Sequence, residues 1–250
     1  MREKQVHSQK AATSANNSES KASFLAQSDI FQHLDPGEIS ELERSITVIT
    51  YPPGRVFYRP GEAGISFFLL KTGHVQIYHL STDGRKLITA TLGPGACFGE
   101  LPLIGQSIHN SFAEAIEDAR IYVMSKHDAE RLLTHKPAVA LALLRVVGQR
   151  LAQLETQLID TTFKGTSARL AMLLLQLATL QGNSRETLVV DGLSHEELAD
   201  RLGVYRETVS TVLRELKETG AIELGRKHIT ISNPSLLADL ASSGGKGGRP

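Results

Sequence analysis

The 250-residue chain carries 27 Lys and Arg against 27 Asp and Glu, a formal net charge of zero, and 41% hydrophobic residues. That length and apolar fraction support two domains with separate cores, and neutrality excludes a polycation that holds nucleic acid by phosphate neutralisation alone. A single cysteine, Cys97, excludes an internal disulfide and an iron–sulfur cluster, and with neither a long apolar run nor a secretory signal the expected compartment is the cytoplasm, with no membrane partner.

Residues 1–22, rich in Ser, Asn, Gln and Lys and without an apolar period, are expected to be a disordered tail. The ordered chain is expected to begin near Asp29, where Phe31, Leu34, Ile39, Leu42 and Ile46 recur at helical spacings around the Asp35-Pro36-Gly37 turn. From Val48 to Met124 the period changes. Short β-rich bursts are predicted at Val56–Tyr58, Ser66–Leu70, Val75–Leu80, Leu87–Leu92, Phe112–Ile116 and Ile121–Met124, separated by turn residues such as Pro52-Pro53-Gly54, Asp83-Gly84 and Gly93-Pro94-Gly95. Regularly spaced short strands predict an antiparallel barrel or sandwich. His74 and His79, five apart on one strand, should face opposite sides and share no metal. Cys97 reads as a small buried apolar group.

Leu144, Val147, Leu151, Leu154 and Leu158 follow steps of three, four, three and four, a heptad seam that predicts a helix paired with a second copy of the chain. The expected hinge covers residues 161–167, followed by an apolar helix from Arg169 to Leu180 and a polar connection from Gln181 to Gly192 around the β-like Leu188-Val189-Val190. In SHEELADRLGVYRETVSTVLREL, residues 194–216, Ser194 and Glu197 have capping-box spacing. Leu198, Ala199 and Leu202 form one face, and Gly203 stands where a left-handed residue ends the helix. A second helix from about Arg206 buries Val209, Val212, Leu213 and Leu216 and turns Arg206, Glu207, Ser210, Thr211 and Arg214 outward. This is the pattern of a helix-turn-helix whose outer face is free to enter a DNA major groove; a plain helical hairpin with a solvated face has the same period. Ile222, Leu224, the Gly225-Arg226-Lys227 turn, Ile229 and Ile231 then predict a β-hairpin, hence a winged helix.

The run GVYRETVSTVLRELKETGAIELGRKHITI resembles the DNA-binding end of the CRP/FNR family of bacterial transcription regulators, and the resemblance covers about residues 29–232. It implies an α+β fold: a cyclic-nucleotide-binding-like β-roll (jelly roll) as sensor over 23–135, a dimerisation helix over 136–163, a winged helix-turn-helix over 164–241 and a second disordered tail over 242–250. It also implies a homodimer on double-stranded DNA, RNA polymerase as a candidate further partner, and no enzyme activity. Arg206 and Glu207 are the implied base readers, since a guanidinium fork matches guanine O6 and N7 and a carboxylate accepts from cytosine N4. Ser210, Thr211 and Arg214 complete that face, and Lys217, Arg226 and Lys227 are candidate phosphate contacts. Tyr205 stands where the family usually has Ser or Thr as N-cap, and Thr211 where many members carry arginine.

The resemblance implies an effector pocket as well. Its signature, a Pro-Gly turn leading into Phe-Gly-Glu and a short helix, is present as Gly93-Pro94-Gly95 and Phe98-Gly99-Glu100-Leu101. Backbone N–H groups there can hold an anion, and Glu100 suits a ribose hydroxyl. Cyclic-AMP readers add an Arg-Ser pair about ten residues later and a Thr-Ser pair on the long helix. His109-Asn110-Ser111 and Leu154-Glu155 stand at those places, so the charge-assisted grip on a cyclic phosphate is missing. The expected function is a regulator controlled by a small effector held otherwise than cyclic AMP, or by none; a cyclic-nucleotide site with a rearranged phosphate grip is the alternative. No metal and no fixed cofactor are expected. Two readings of other classes stay open: a dimeric adaptor that binds protein through a degenerate winged helix, and a cupin-like metalloenzyme. Against the latter, the chain has no H-x-H pair, no G-x-S-x-G and no H-E-x-x-H.

Overall fold

The computed structural model describes residues 20–105, 107–181 and 188–242, so the expected tails, 1–22 and 242–250, lie outside the described residues except for 20–22 and 242, and Lys21 and Ala22 are helical. Structure begins earlier than Asp29. Ser20 accepts a hydrogen bond from the Ser23 N–H and caps helix α1 (Lys21–Gln27), which buries Leu25 completely. A helix this short, with Phe24 and Leu25 as its large apolar residues, leaves no period to read. Helix α2 (Pro36–Ser45) starts at a closed Asp35/Glu38 capping box and buries Ile39 and Leu42. Ile46, assigned by spacing to that helix, opens strand β1 (Ile46–Tyr51) instead; its β-branched run ITVIT is the signal that separates the two elements.

The other strands of the N-terminal part are β2 (Val56–Tyr58), β3 (Ser66–Thr72), β4 (Val75–Leu80), β5 (Lys86–Leu92), β6 (Cys97–Phe98), β7 (Phe112–Ala115) and β8 (Ala119–Ser125). They form two antiparallel sheets, β1-β8-β3-β6 and β2-β7-β4-β5, which together make the β-roll. Strand β3 is apolar at successive positions because both its faces are covered. Phe68 and Leu70 point into the roll with Phe98, Ala113 and Ile121, while Phe67 and Leu69 pack with Met124 and Val139. Gly73 makes the β3–β4 turn at φ +86, and a Cβ there would lie 2.5 Å from the Asp118 carbonyl oxygen, so no other residue fits. His74 precedes β4, with its ring 2.5 Å from Glu117. Strand β4 pairs residue for residue with β7 from Val75 to Tyr78, and the register shift against β5 comes from Thr89, the extra residue on β5, so the alternation of β4 is kept. Among the described residues, no group of three or more His, Cys, Asp or Glu side chains could hold a metal.

Helix α3 (Lys126–His135), absent from the expected elements, is capped by Ser125 and buries Ala129. Helix α4 (Pro137–Phe163) then runs for 27 residues, and its first turns bury Val139, Ala142 and Leu143. Farther along, Leu144, Leu151, Leu154 and Leu158 are 59%, 57%, 44% and 67% exposed, and Val147 is half-buried. Leucines left in water on one copy along a heptad call for a partner surface. The expected hinge narrows, because Thr161–Phe163 still belong to α4 and α5 (Thr166–Leu180) starts at once, leaving Lys164 and Gly165 between them.

The C-terminal part comprises α5, β9 (Leu188–Asp191), α6 (His195–Leu202), α7 (Arg206–Glu218), β10 (Ile222–Gly225), β11 (His228–Ile231) and α8 (Pro234–Ser242). One core joins them, with Leu170, Leu174, Leu198, Val209, Leu213 and Ile222 among its buried residues. Strand β9, expected within a connection, is the third strand of the wing, in the order β10-β11-β9. Helix α8 ends on Ser242, the residue with which the second tail was expected to begin. Leu213 and Thr211 lie on opposite sides of α7, one fully buried and one exposed. Leu213→Ala is expected to lower the unfolding free energy by about 2–5 kcal/mol, and Thr211→Ala by less than about 0.5 kcal/mol, as urea denaturation of the two variants measures.

Candidate DNA-binding face and effector pocket

The reading head is built from its caps. Ser194 Oγ accepts from the Glu197 N–H at 3.2 Å and Glu197 Oε2 accepts from the Ser194 N–H at 2.7 Å, closing the capping box. Gly203 is left-handed at φ 66, ψ 34, and Tyr205 is the N-cap of α7 but makes no side-chain capping bond. The positive end of α7 therefore stays open to an acceptor. Val209, Val212, Leu213 and Leu216 are buried, whereas Arg206, Glu207, Thr211, Arg214 and Lys217 are exposed. Ser210 is half-buried and already engaged: its hydroxyl donates to the Arg206 carbonyl at 3.0 Å and lies 2.8 Å from Nδ1 of His195, a residue absent from the expected face. In the wing, Gly225 pairs with His228, so Arg226 and Lys227 form the tip, both exposed, with Lys227 at φ 56.

The pocket is organised by a second glycine. Gly99 is left-handed at φ +76, and a Cβ there would lie 2.8 Å from the Ser66 carbonyl oxygen. The turn carries Glu100 inward, its side chain 10% exposed, and Arg150 reaches it from α4. Nη1 of Arg150 donates to Glu100 Oε1 at 2.7 Å, and Nη2 donates to the Cys97 carbonyl. His109, 4% exposed, stacks on Tyr58 with ring centres 3.6 Å apart and planes 5° from parallel. Buried Ser111 hydrogen-bonds Tyr58. Burial holds His109 below the ordinary histidine range, so the ring is neutral. Burial, reinforced by the nearby Glu100 charge, raises the Tyr58 hydroxyl well above the ordinary tyrosine range. Burial likewise pushes the Cys97 thiol up to about 12, which suppresses the thiolate a redox sensor needs. Two stacked neutral rings thus occupy the stretch where the resemblance expects a cation.

Not every expected pocket residue is there. Gly99, Glu100, His109 and Ser111 come together, joined by Tyr58 and Arg150, and Leu101 opens the half-buried 3-10 turn Leu101–Leu103 beside them. Asn110 is exposed, at a bend between buried His109 and Ser111. Glu155 is exposed, and Leu154 lines a separate groove of about 660 Å³ with Leu87, Thr89, Arg169 and Leu202. A cavity of about 340 Å³ adjoins the stack, lined by Tyr51, Arg55, Tyr58, Glu62, Phe68 and His109 among others.

Residues 48–136 match the cyclic nucleotide-binding domain, and residues 168–240 match the Crp-like helix-turn-helix domain. The chain is 31% identical over 220 residues to a CRP-like cAMP-activated global transcriptional regulator of Mycobacterium tuberculosis, covering 87% of this chain and 98% of that protein. It belongs to the CRP/FNR family. A cyclic AMP receptor protein of Thermus thermophilus is 30% identical to this CRP/FNR chain over 214 residues, 86% of the one and 97% of the other. Among solved structures, a chain described as a transcriptional regulator of the crp/fnr family from Eubacterium rectale matches with a TM-score of 0.73 at 19% identity, over 86% of this chain and 98% of that one, a likeness of fold. CRP/FNR proteins are DNA-binding transcription regulators that act as dimers, not enzymes.

Arg150→Met removes the cation paired with Glu100 in a mostly buried setting. It is expected to lower stability by about 3 kcal/mol, and adding Glu100→Gln should restore most of that loss, with urea denaturation of the single and double variants as the check. His109 also makes stability depend on pH. Its folded value lies below the unfolded 6.5, so the unfolded chain takes up the proton first: the contribution is complete above pH 6.5 and is lost as pH falls through that value toward the folded one. His109→Phe, which keeps a ring on Tyr58, is expected to flatten the fall in melting temperature below about pH 6.5.

Proposed function

We propose that this CRP/FNR regulator reads a two-fold symmetric operator as a homodimer and is controlled by a small effector held otherwise than cyclic AMP, or by none. One observation carries the reading of the pocket: the buried His109–Tyr58 stack fills the stretch where a cyclic phosphate needs a cation. A phosphate there has to separate the stacked rings and bring its charge among buried groups, while the Arg150 guanidinium is already bonded to Glu100 and the Cys97 carbonyl. Pairing of two α4 helices through Leu144, Val147, Leu151, Leu154 and Leu158 sets two α7 helices against successive major grooves about 34 Å apart. Arg206 and Glu207 read bases, Thr211 and Arg214 complete the face, and Lys217, Arg226 and Lys227 meet phosphates. The signal acts as a population shift between orientations of the reading heads. RNA polymerase is the partner through which occupancy of the operator reaches transcription, and the cytoplasm is the place of action.

A second reading has its own support. Glu100 is turned inward with a cation beside it, and residues 48–136 match the cyclic nucleotide-binding domain; on that reading the stack opens and His109 and Ser111 take the phosphate. Calorimetric titration of the dimer with cyclic AMP and cyclic GMP, followed by operator binding with and without each, separates the two. The expected result is no binding of either nucleotide and an operator held regardless; a nucleotide that binds and raises DNA affinity overturns the first reading in favour of the second. Arg206→Ala is expected to cost about 1–3 kcal/mol of discrimination against operators altered at the guanine it reads. A protein-binding adaptor would not respond to that change.

A further inference from the structure

The chain passes from the β-roll to the reading head once, through Lys164 and Gly165. A lone two-residue connection leaves the head free to rotate, yet a second attachment exists. The tip of the β4–β5 hairpin lies against the turn between α6 and α7. Tyr205 donates its hydroxyl to Asp83 Oδ2 at 2.7 Å, and the Arg85 guanidinium lies 5.2 Å from the centre of the Tyr205 ring. Arg85 also donates to the Gly203 carbonyl at 3.4 Å, and to Asp83 Oδ2 at 2.9 Å, so one guanidinium joins both sides of the contact. Lys86 stands 3.9 Å from Asp200 on α6. Leu87 packs on Gly203 so closely that a Cβ there would meet it at 3.1 Å.

Each of these surface contacts is weak alone. Their placement gives them leverage. Tyr205 is the N-cap of α7, its carbonyl accepts the Val209 N–H, and the next two residues are the implied base readers Arg206 and Glu207. Its side chain does not cap the helix, and its hydroxyl is spent on Asp83. Asp83 is held well below the usual carboxylate range by its Ser81, Tyr205 and Arg85 hydrogen bonds, so the acceptor stays charged. A hold on the Tyr205 ring is therefore a hold on the first turn of α7.

We propose that Asp83 and Arg85 are positioning residues for DNA reading: acting through Tyr205 and Gly203, they fix the orientation of α7 about the Lys164–Gly165 connection and thereby set the half-site spacing that the dimer accepts. The dependence on spacing rests on the symmetric-operator reading given above. The attachment itself does not.

Two measurements on the full chain test it, using Tyr205→Phe, which keeps the ring and removes the hydroxyl donor, and Asp83→Ala, which removes the acceptor. In the DNA-free protein, amide hydrogen exchange should speed up by about threefold or more in both residues 81–86 and 200–207, with the melting temperature unchanged. On a series of operators whose centre is lengthened or shortened by one or two base pairs, the preference for the correct spacing should fall by at least about fivefold. Discrimination at the base read by Arg206 should stay as it was. Exchange that is unchanged in both segments overturns the proposal, as does a spacing preference that survives in both variants. If the unaltered chain shows no spacing preference, the symmetric-operator reading fails, and hydrogen exchange alone then decides whether the hairpin fixes the head.

Discussion

The guanidinium of Arg150, bonded to the Glu100 carboxylate and the Cys97 carbonyl, joins the candidate effector pocket to the helix that carries the proposed pairing seam. Bringing two charges out of water is costly, and the pair repays this through good geometry and the additional bond to a backbone oxygen that faces little solvent. Arg150 directly precedes Leu151, the first residue of the most exposed stretch of the seam. The residue that holds the pocket loop and the proposed pairing face are thus adjacent on one helix. Glu100 cannot be displaced without either leaving a charge unpaired or moving α4, and a movement of α4 is a movement of the proposed pairing face.

Much of this architecture is legible in the sequence because local chemistry specifies it. Ser194, Glu197 and Gly203 bound α6 by capping rules that need no tertiary information, and the stripe Val209, Val212, Leu213, Leu216 gives α7 its buried side. The strands of the roll are legible through the glycines and prolines between them. What escapes is short or non-local. Helix α1 has seven residues, α8 lies where the expected elements end, and β9, β-like in its sequence, does not announce that it pairs with the wing.

The pocket was legible only as far as its motif. Phe98-Gly99-Glu100 is contiguous and Gly99 is required by its positive φ, so a sequence can announce it. Arg150 is separated from Glu100 by 50 residues and looks, along its own helix, like any charge flanking a heptad. Tyr58 reads as one more apolar strand residue until the fold lays it on His109. The absence of an arginine near His109 told what the pocket lacks; the ring stack that takes its place depends on which strands the roll brings together, and no spacing encodes that.

The neutral charge of the chain gives the head's orientation its weight. With 9 basic and 9 acidic residues from Lys164 to Ser232, a single head has little non-specific hold on phosphate to draw upon. Affinity then depends on both heads engaging together, and the second engagement is governed by the effective concentration the first one creates. A head that swings freely about Lys164 and Gly165 spreads that concentration over many orientations. One held at Tyr205 and Gly203 concentrates it in a few. A contact worth little to folding stability can in this way weigh heavily on DNA binding, because it acts on the distribution of orientations and leaves the contacts made with the DNA unchanged.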